Sequence, residues 1–128
     1  MVGFDAFGDP RAYSMDDDRY CPHFHHTVEL VGRRWSGVIL KVLAVGPCRF
    51  GDIRAKVPGL SDRLLTNRLS EFETEGLVRR REHDGVACYG LTDKGRVLEP
   101  VLDAVSVVAL DWAVREGPAD KPGRIRAG

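Results

Sequence analysis

Residues 61–91 read SDRLLTNRLSEFETEGLVRRREHDGVACYGL, and the reading of this stretch decides the fold. Ser61 is a good helix N-cap, and Asp62 is an acid in the first turn, where the helix dipole favours it. Leu65, Leu69 and Phe72 recur at helical spacing and define a buried stripe. Gly76 supplies a left-handed exit, with Leu77 placed to fold back on Phe72. Beyond it the pattern becomes that of strands. Leu77 to His83 and Val86 to Leu91 flank Asp84-Gly85, a strong two-residue hairpin signal. Such a turn pairs His83 with Val86, Arg81 with Cys88, Arg80 with Tyr89 and Val78 with Leu91. One face then carries Val78, Tyr89 and Leu91, and the other Arg79, Arg81, His83 and Cys88.

Working outward toward the N-terminus, Phe50, Ile53 and Val57 mark a short helix stopped by Pro58-Gly59. Trp35, Val38, Ile39, Val42 and Leu43 follow the spacing of a second apolar face, ended at Gly46-Pro47. Cys21, Phe24, Val28 and Val31 share one side of a first helix, with Pro22 in its first turn and Gly32 at its end. Toward the C-terminus, Thr92 caps a last helix. Leu98, Val101, Val105, Val108 and Trp112 form its seam, Val97, Leu102 and Ala109 widen it, and Pro100 is expected to kink it. Helix, helix, short helix, turn, helix, hairpin, helix is the order of a winged helix-turn-helix, mainly α with a small β-hairpin (α+β). In that unit the helix after the turn enters the DNA major groove. The expected organisation is an N-terminal arm at 1–20, one domain at 21–116 and a flexible tail at 117–128.

Composition sets the class. The 128 residues are 43% hydrophobic and 30% charged, which suits one folded domain. Apolar stretches fall far short of the ~20 residues a membrane span needs, and no secretory leader is visible, so no membrane partner and a cytoplasmic location are expected. Three cysteines, Cys21, Cys48 and Cys88, imply no disulfide framework. The net charge of zero conceals a division: residues 33–81 hold eleven Lys/Arg against five Asp/Glu, a balance of +6, and the remainder holds −6. A basic middle between acidic flanks suits an anionic partner.

The helix after the turn carries that reading further. At about 100° per residue, the side opposite Leu65 holds Arg63, Thr66, Asn67, Ser70 and Thr74, all polar and none acidic. Arg suits guanine and Asn suits adenine in the major groove. Alone, such a helix is ordinary amphipathic structure with a solvated face. Arg79 and Arg81 follow on the hairpin face the core does not need, placed for phosphate contact that orients without reading sequence. Arg63, Thr66, Asn67 and Ser70 are therefore the candidate base readers. Arg49, Arg68, Arg79 and Arg81 are the candidate backbone contacts.

Gly32-Arg33-Arg34-Trp35, Ile39-Leu40, Gly46-Pro47-Cys48-Arg49-Phe50-Gly51-Asp52-Ile53, Pro58-Gly59-Leu60-Ser61, Leu65-Thr66-Asn67-Arg68-Leu69, Glu73-Thr74-Glu75-Gly76-Leu77-Val78, Tyr89-Gly90-Leu91-Thr92-Asp93-Lys94-Gly95-Arg96, Pro100-Val101-Leu102 and Trp112 form a collinear set. In these stretches the chain resembles the HxlR-type regulators within the MarR-like superfamily. The likeness spans about residues 21–112. The resemblance implies a bacterial transcription factor, acting as a homodimer on double-stranded DNA and dimerised through its first and last helices. Phe24, Val28, Leu98, Val101, Val105, Val108 and Trp112 would then lie at the dimer interface. Two features depart from the family: the hairpin turn is tighter than the usual wing, and the arm at 1–20 is longer than the core requires.

Some members of that family respond to oxidants through a cysteine just before the first helix, and Cys21-Pro22 is similar in position. Cys21 is thus a candidate redox sensor for a thiol-reactive or small-molecule effector; the competing role is packing on the Phe24/Val28/Val31 face. Cys88, opposite Arg81, is a second thiol near positive charge, and Cys48 reads as structural. His23, His25 and His26 cannot all converge from one helix, so no metal and no cofactor are expected. Cys21 beside these histidines is the only arrangement like an activated nucleophile, and nothing else supports an enzyme. The expected function is a sequence-specific regulator, a repressor on a pseudo-palindromic operator. The alternative is a winged-helix protein-interaction module that does not bind DNA.

Overall fold

The computed structural model describes residues 20–117, so residues 1–19 of the expected arm and 118–128 of the expected tail lie outside the described residues. The chain divides between Arg33 and Arg34 into two compact units. The first unit contributes helix α1 (Pro22–Gly32). Cys21 is its N-cap, with Sγ accepting from the Phe24 N–H at 3.5 Å, and Pro22 occupies the first turn, where a missing N–H costs nothing. Phe24 and Val28 stand exposed, and no residue of α1 is buried. Cys21 itself is half-buried, a cap rather than a core cysteine.

The second unit runs α2 (Ser36–Val45), β1 (Cys48–Arg49), α3 (Phe50–Lys56), α4 (Asp62–Thr74), β2 (Val78–His83), β3 (Val86–Leu91), α5 (Asp93–Arg96) and α6 (Glu99–Glu116). Its hydrophobic centre is built by Ile39, Leu40 and Leu43 of α2, Ile53 of α3, and Leu65, Leu69 and Phe72 of α4, all 2% exposed or less. Burial of each such side chain stabilises the unit by about 1.5–3 kcal/mol. Val57, Leu60, Leu77, Val78, Leu98 and Leu102 close the core around them. No helix among the described residues is long and apolar enough to cross a membrane.

The local signals around residue 76 are realised in full. Gly76 adopts φ 75°, its N–H donates to the Glu73 carbonyl at 3.0 Å, and the Leu77 N–H donates to Phe72 at 2.8 Å, the paired bonds of a Schellman exit. Asp84 (φ 52°) and Gly85 (φ 79°) both lie in the left-handed region, as a type I′ hairpin requires. The register is the expected one, from Val78↔Leu91 to His83↔Val86.

Four expectations are corrected. The hairpin is part of a three-stranded antiparallel sheet of order β1-β3-β2, because Cys48 and Arg49 pair with Tyr89 and Cys88. Trp35 is the N-cap of α2, at φ 71°, so the buried face of α2 is Ser36, Ile39, Leu40 and Leu43, and Val38 is exposed. The last helix is two helices. Thr92 caps only α5, accepting from the Gly95 N–H at 3.1 Å, and the chain restarts at Glu99. Pro100 sits in the first turn of α6 and opens that helix instead of kinking it.

The strand–helix junction is tight. The Thr92 hydroxyl donates to the Gly76 carbonyl, its N–H donates to the Leu77 carbonyl at 3.0 Å, and Lys94 Nζ donates to the Glu75 carbonyl at 2.7 Å. Gly95 lies against this junction so closely that a Cβ there would stand 2.2 Å from the Leu77 carbonyl oxygen. Gly95→Ala is therefore expected to destabilise by roughly 1–3 kcal/mol in urea unfolding, as overpacking against fixed backbone does. Gly90→Ala, whose Cβ would meet only Pro47 at 3.6 Å, should shift the midpoint little.

Candidate nucleic-acid interface

Helix α4 is fixed in rotation by its apolar stripe and capped by the Ser61 hydroxyl, which accepts from the Leu64 N–H at 3.1 Å. With Leu65, Leu69 and Phe72 inward, Arg63, Thr66, Asn67, Ser70 and Thr74 are all exposed. The four expected base readers therefore share one solvent face. Two acids that could spoil the field of that helix are neutralised: Asp62 pairs with Arg54, and Glu71 with Arg68 at 3.2 Å. The Arg54–Asp62 pair also braces the start of α4 against α3, and a separation of eight residues with no periodic link hid it from sequence reading.

Arg68 does not join the exposed set. Its side chain is 12% exposed, its Nε donates to the Arg34 carbonyl at 2.7 Å, and its Nη1 donates to Glu71. It is committed to holding α4 in place, and its guanidinium is not free to meet phosphate. Arg49 stays exposed beside Asp52 at 3.2 Å. Arg79 and Arg81 alternate with Arg80 along β2 and lie on the opposite side of the sheet from it. Hydrogen bonds to Glu82 and then Tyr89 raise the Arg80 guanidinium above its ordinary value, so Arg80 is engaged within the sheet. Beyond the arginines, the wing ends abruptly at the exposed pair His83 and Asp84.

Of the expected interface residues in the second unit, Val101, Val105, Val108 and Trp112 stand 43–58% exposed along α6. Leu98 does not belong with them: it is buried in the core of its own chain, as is Leu102. Among the described residues, no group of three or more His, Cys, Asp or Glu is arranged to hold a metal ion.

Comparison with known proteins agrees with this fold. Residues 30–117 match the family described as HxlR-like helix-turn-helix. The chain is 40% identical over 101 residues to YvaP, an uncharacterised HTH-type transcriptional regulator of Bacillus subtilis, covering 77% of this chain and 94% of that one. The crystal structure of quinone-bound YodB from B. subtilis is similar, with 35% identity, a TM-score of 0.64, and coverage of 71% of this chain and 99% of that one. The redox regulator HypR in its reduced form is similar at 29% identity and a TM-score of 0.63, covering 73% of this chain and 91% of that one.

The two kinds of arginine are separable by stability alone. Arg68→Ala removes the bond to the Arg34 carbonyl and leaves half-buried Glu71 without its cation, so a loss of roughly 1–3 kcal/mol is expected in urea unfolding. Arg63→Ala, on the exposed face, is expected to stay within about 0.5 kcal/mol of the parent.

Proposed function

The chain belongs to the HxlR-like helix-turn-helix family and is a transcriptional regulator of HTH type; from that premise we propose that it binds a pseudo-palindromic operator as a homodimer and represses by occupying it. One observation carries the reading: α4 presents Arg63, Thr66, Asn67 and Ser70 on one exposed face, with Asp62 paired to Arg54 and Glu71 to Arg68. Those four side chains read base edges. Arg79 and Arg81 of β2, with Arg49, hold phosphates. The two-residue turn limits the wing to backbone contact.

The second copy covers the exposed Val101, Val105, Val108 and Trp112 of α6, with Phe24 and Val28 of α1 as the other apolar contribution. Two copies related by a two-fold axis place their α4 helices in successive major grooves, ~10 bp apart or a multiple. A chromosomal operator places the protein in the cytoplasm. The signal is a thiol-reactive or small-molecule effector acting at Cys21. Support comes from the half-buried Cys21 sulfur at the start of α1 and from the likeness to proteins described as a redox regulator and as quinone-bound.

The test of the DNA reading is operator selection from a random pool, then titration at stated salt, with sedimentation giving two chains per site. Asn67→Ala is expected to narrow the gap between operator and random duplex by about 1–3 kcal/mol. Arg81→Ala should weaken both alike and lower the salt slope by about one. Equal loss on both duplexes for Asn67→Ala removes it from base reading, and no duplex binding at all leaves the protein-interaction alternative. For Cys21, oxidant treatment is expected to release the parent protein from the operator and spare Cys21→Ser. Release of both at the same oxidant dose excludes Cys21 as the sensor.

A further inference from the structure

A cavity of about 320 Å³ opens on the outer side of the hairpin, lined by Pro47, Arg79, Arg81, Cys88, Gly90 and Asp93 among others. Its origin is a missing side chain. Gly90 stands opposite Arg79 in the ladder and leaves the floor open, with the Pro47 ring 3.6 Å from where a Cβ would be. Cys88 is the next residue on the same face, since side chains alternate along a strand. It lies opposite Arg81 on β2 and opposite Arg49 on β1. A half-buried, free thiol therefore sits between arginines of two strands and opens into a cavity. Arg49 has Asp52 as partner, whereas the Arg79 and Arg81 side chains make no ion pair or hydrogen bond with other described residues. The volume is at the lower end of the roughly 300–1,000 Å³ of ligand sites.

We propose that this cavity is a second thiol-switch site, in which Cys88 captures a carboxylate-bearing low-molecular-weight disulfide and the resulting mixed disulfide covers Arg79 and Arg81. The lining selects the ligand class. Two arginines favour carboxylates, and the single carboxylate of Asp93 accommodates an ammonium, so a small peptide disulfide with more carboxylates than amines is the best match. The chemistry is thiol–disulfide exchange. Cys88 gives its proton to solvent and its sulfur attacks one sulfur of the incoming disulfide. A new S–S bond forms as the old one breaks, and the other sulfur leaves with the electron pair and takes up a proton. The incoming disulfide is itself the oxidant, and Cys88 is oxidised to the mixed disulfide. Capture requires only the cavity. Its consequence for DNA rests on the reading that Arg79 and Arg81 meet phosphate.

The test uses the full chain carrying Cys21→Ser, so that Cys88 is accompanied only by the buried Cys48. Glutathione disulfide and the cationic disulfide cystamine are compared, with intact mass and peptide mapping as readouts. Capture at Cys88 is expected roughly tenfold faster with glutathione disulfide than with cystamine. Arg79→Gln with Arg81→Gln should bring the two rates together. Gly90→Val, which fills the floor and keeps both arginines, should slow glutathione disulfide severalfold. Faster reaction with cystamine, modification at Cys48, or indifference to the arginine changes overturns the capture site. If Gly90→Val does not fold, the arginine pair decides alone. Saturating operator duplex should slow capture, and the mixed disulfide should lower operator affinity about tenfold relative to Cys88→Ser. Selective capture that operator neither slows nor suffers from leaves the cavity standing and overturns the DNA consequence.

Discussion

The burial of Leu65, Leu69 and Phe72 is the constraint on which the rest depends. These three side chains, 2% exposed or less, set the rotation of α4 about its own axis. A helix turned by one residue would bring Thr66 and Ser70 toward the core and carry Leu65 and Leu69 away from it. Unpartnered hydroxyls in apolar surroundings cost about 1–3 kcal/mol each, and each exposed leucine forfeits about as much again. The apolar stripe thus specifies which side chains face solvent, and Arg63 and Asn67 are exposed because Leu65 and Leu69 are not. The exposed polar face and the stability of the fold are two sides of one helix.

That rotation is locked at three levels along the helix. Near its start, Asp62 pairs with Arg54, and the Trp35 ring lies over Gly59, whose Cβ would meet it at 3.5 Å. At mid-length, Arg68 reaches back to the Arg34 carbonyl. At its end, the Gly76 exit is stitched to α5 through Thr92 and Lys94. The middle lock has a local cost. Trp35 holds φ 71°, a conformation that disfavours bulky residues by about 1–3 kcal/mol. The turn it makes at the start of α2 accompanies both the Arg34 carbonyl that Arg68 uses and the seating of the indole over the turn before α4. Strain at one residue is offset by contacts that keep α4 in register.

Legibility followed the physics of each signal. The β2–β3 register was readable because Asp84-Gly85 forces a two-residue turn, and one turn fixes every pair in the ladder. The exit at Gly76 was readable for a similar reason, since both its bonds are local. Strand β1 was not: Cys48 and Arg49 are two residues, too few for a period, and their pairing with β3 is decided by the path of α2 and α3. The boundary at Glu99 was missed because an apolar seam continues through it, and Pro100 fits a helix start as well as a kink. Arg68 carried a usable signal, since it lies ~60° from Leu65 on the wheel, on the inner edge of α4. Charge drew it toward the DNA set, but geometry places it in the scaffold.

Helix α6 links the proposed site to assembly. Its first turns belong to the core through Leu102, and Ser106 accepts from Lys41 Nζ at 2.8 Å, anchoring it to α2. Past that point Val107, Leu110 and Val114 are 67–87% exposed, on a different side of the helix from Val105, Val108 and Trp112. A helix apolar on more than one side gains most of its stability from what packs on it. If a second copy supplies that packing, folding of the distal turns and pairing of two chains become one equilibrium, governed by protomer concentration. The same packing then sets the distance between the two α4 helices, so operator spacing and the stability of α6 answer to the same side chains. A substitution at Val108 or Trp112 far from any base would, on this logic, change which half-site spacing the dimer accepts.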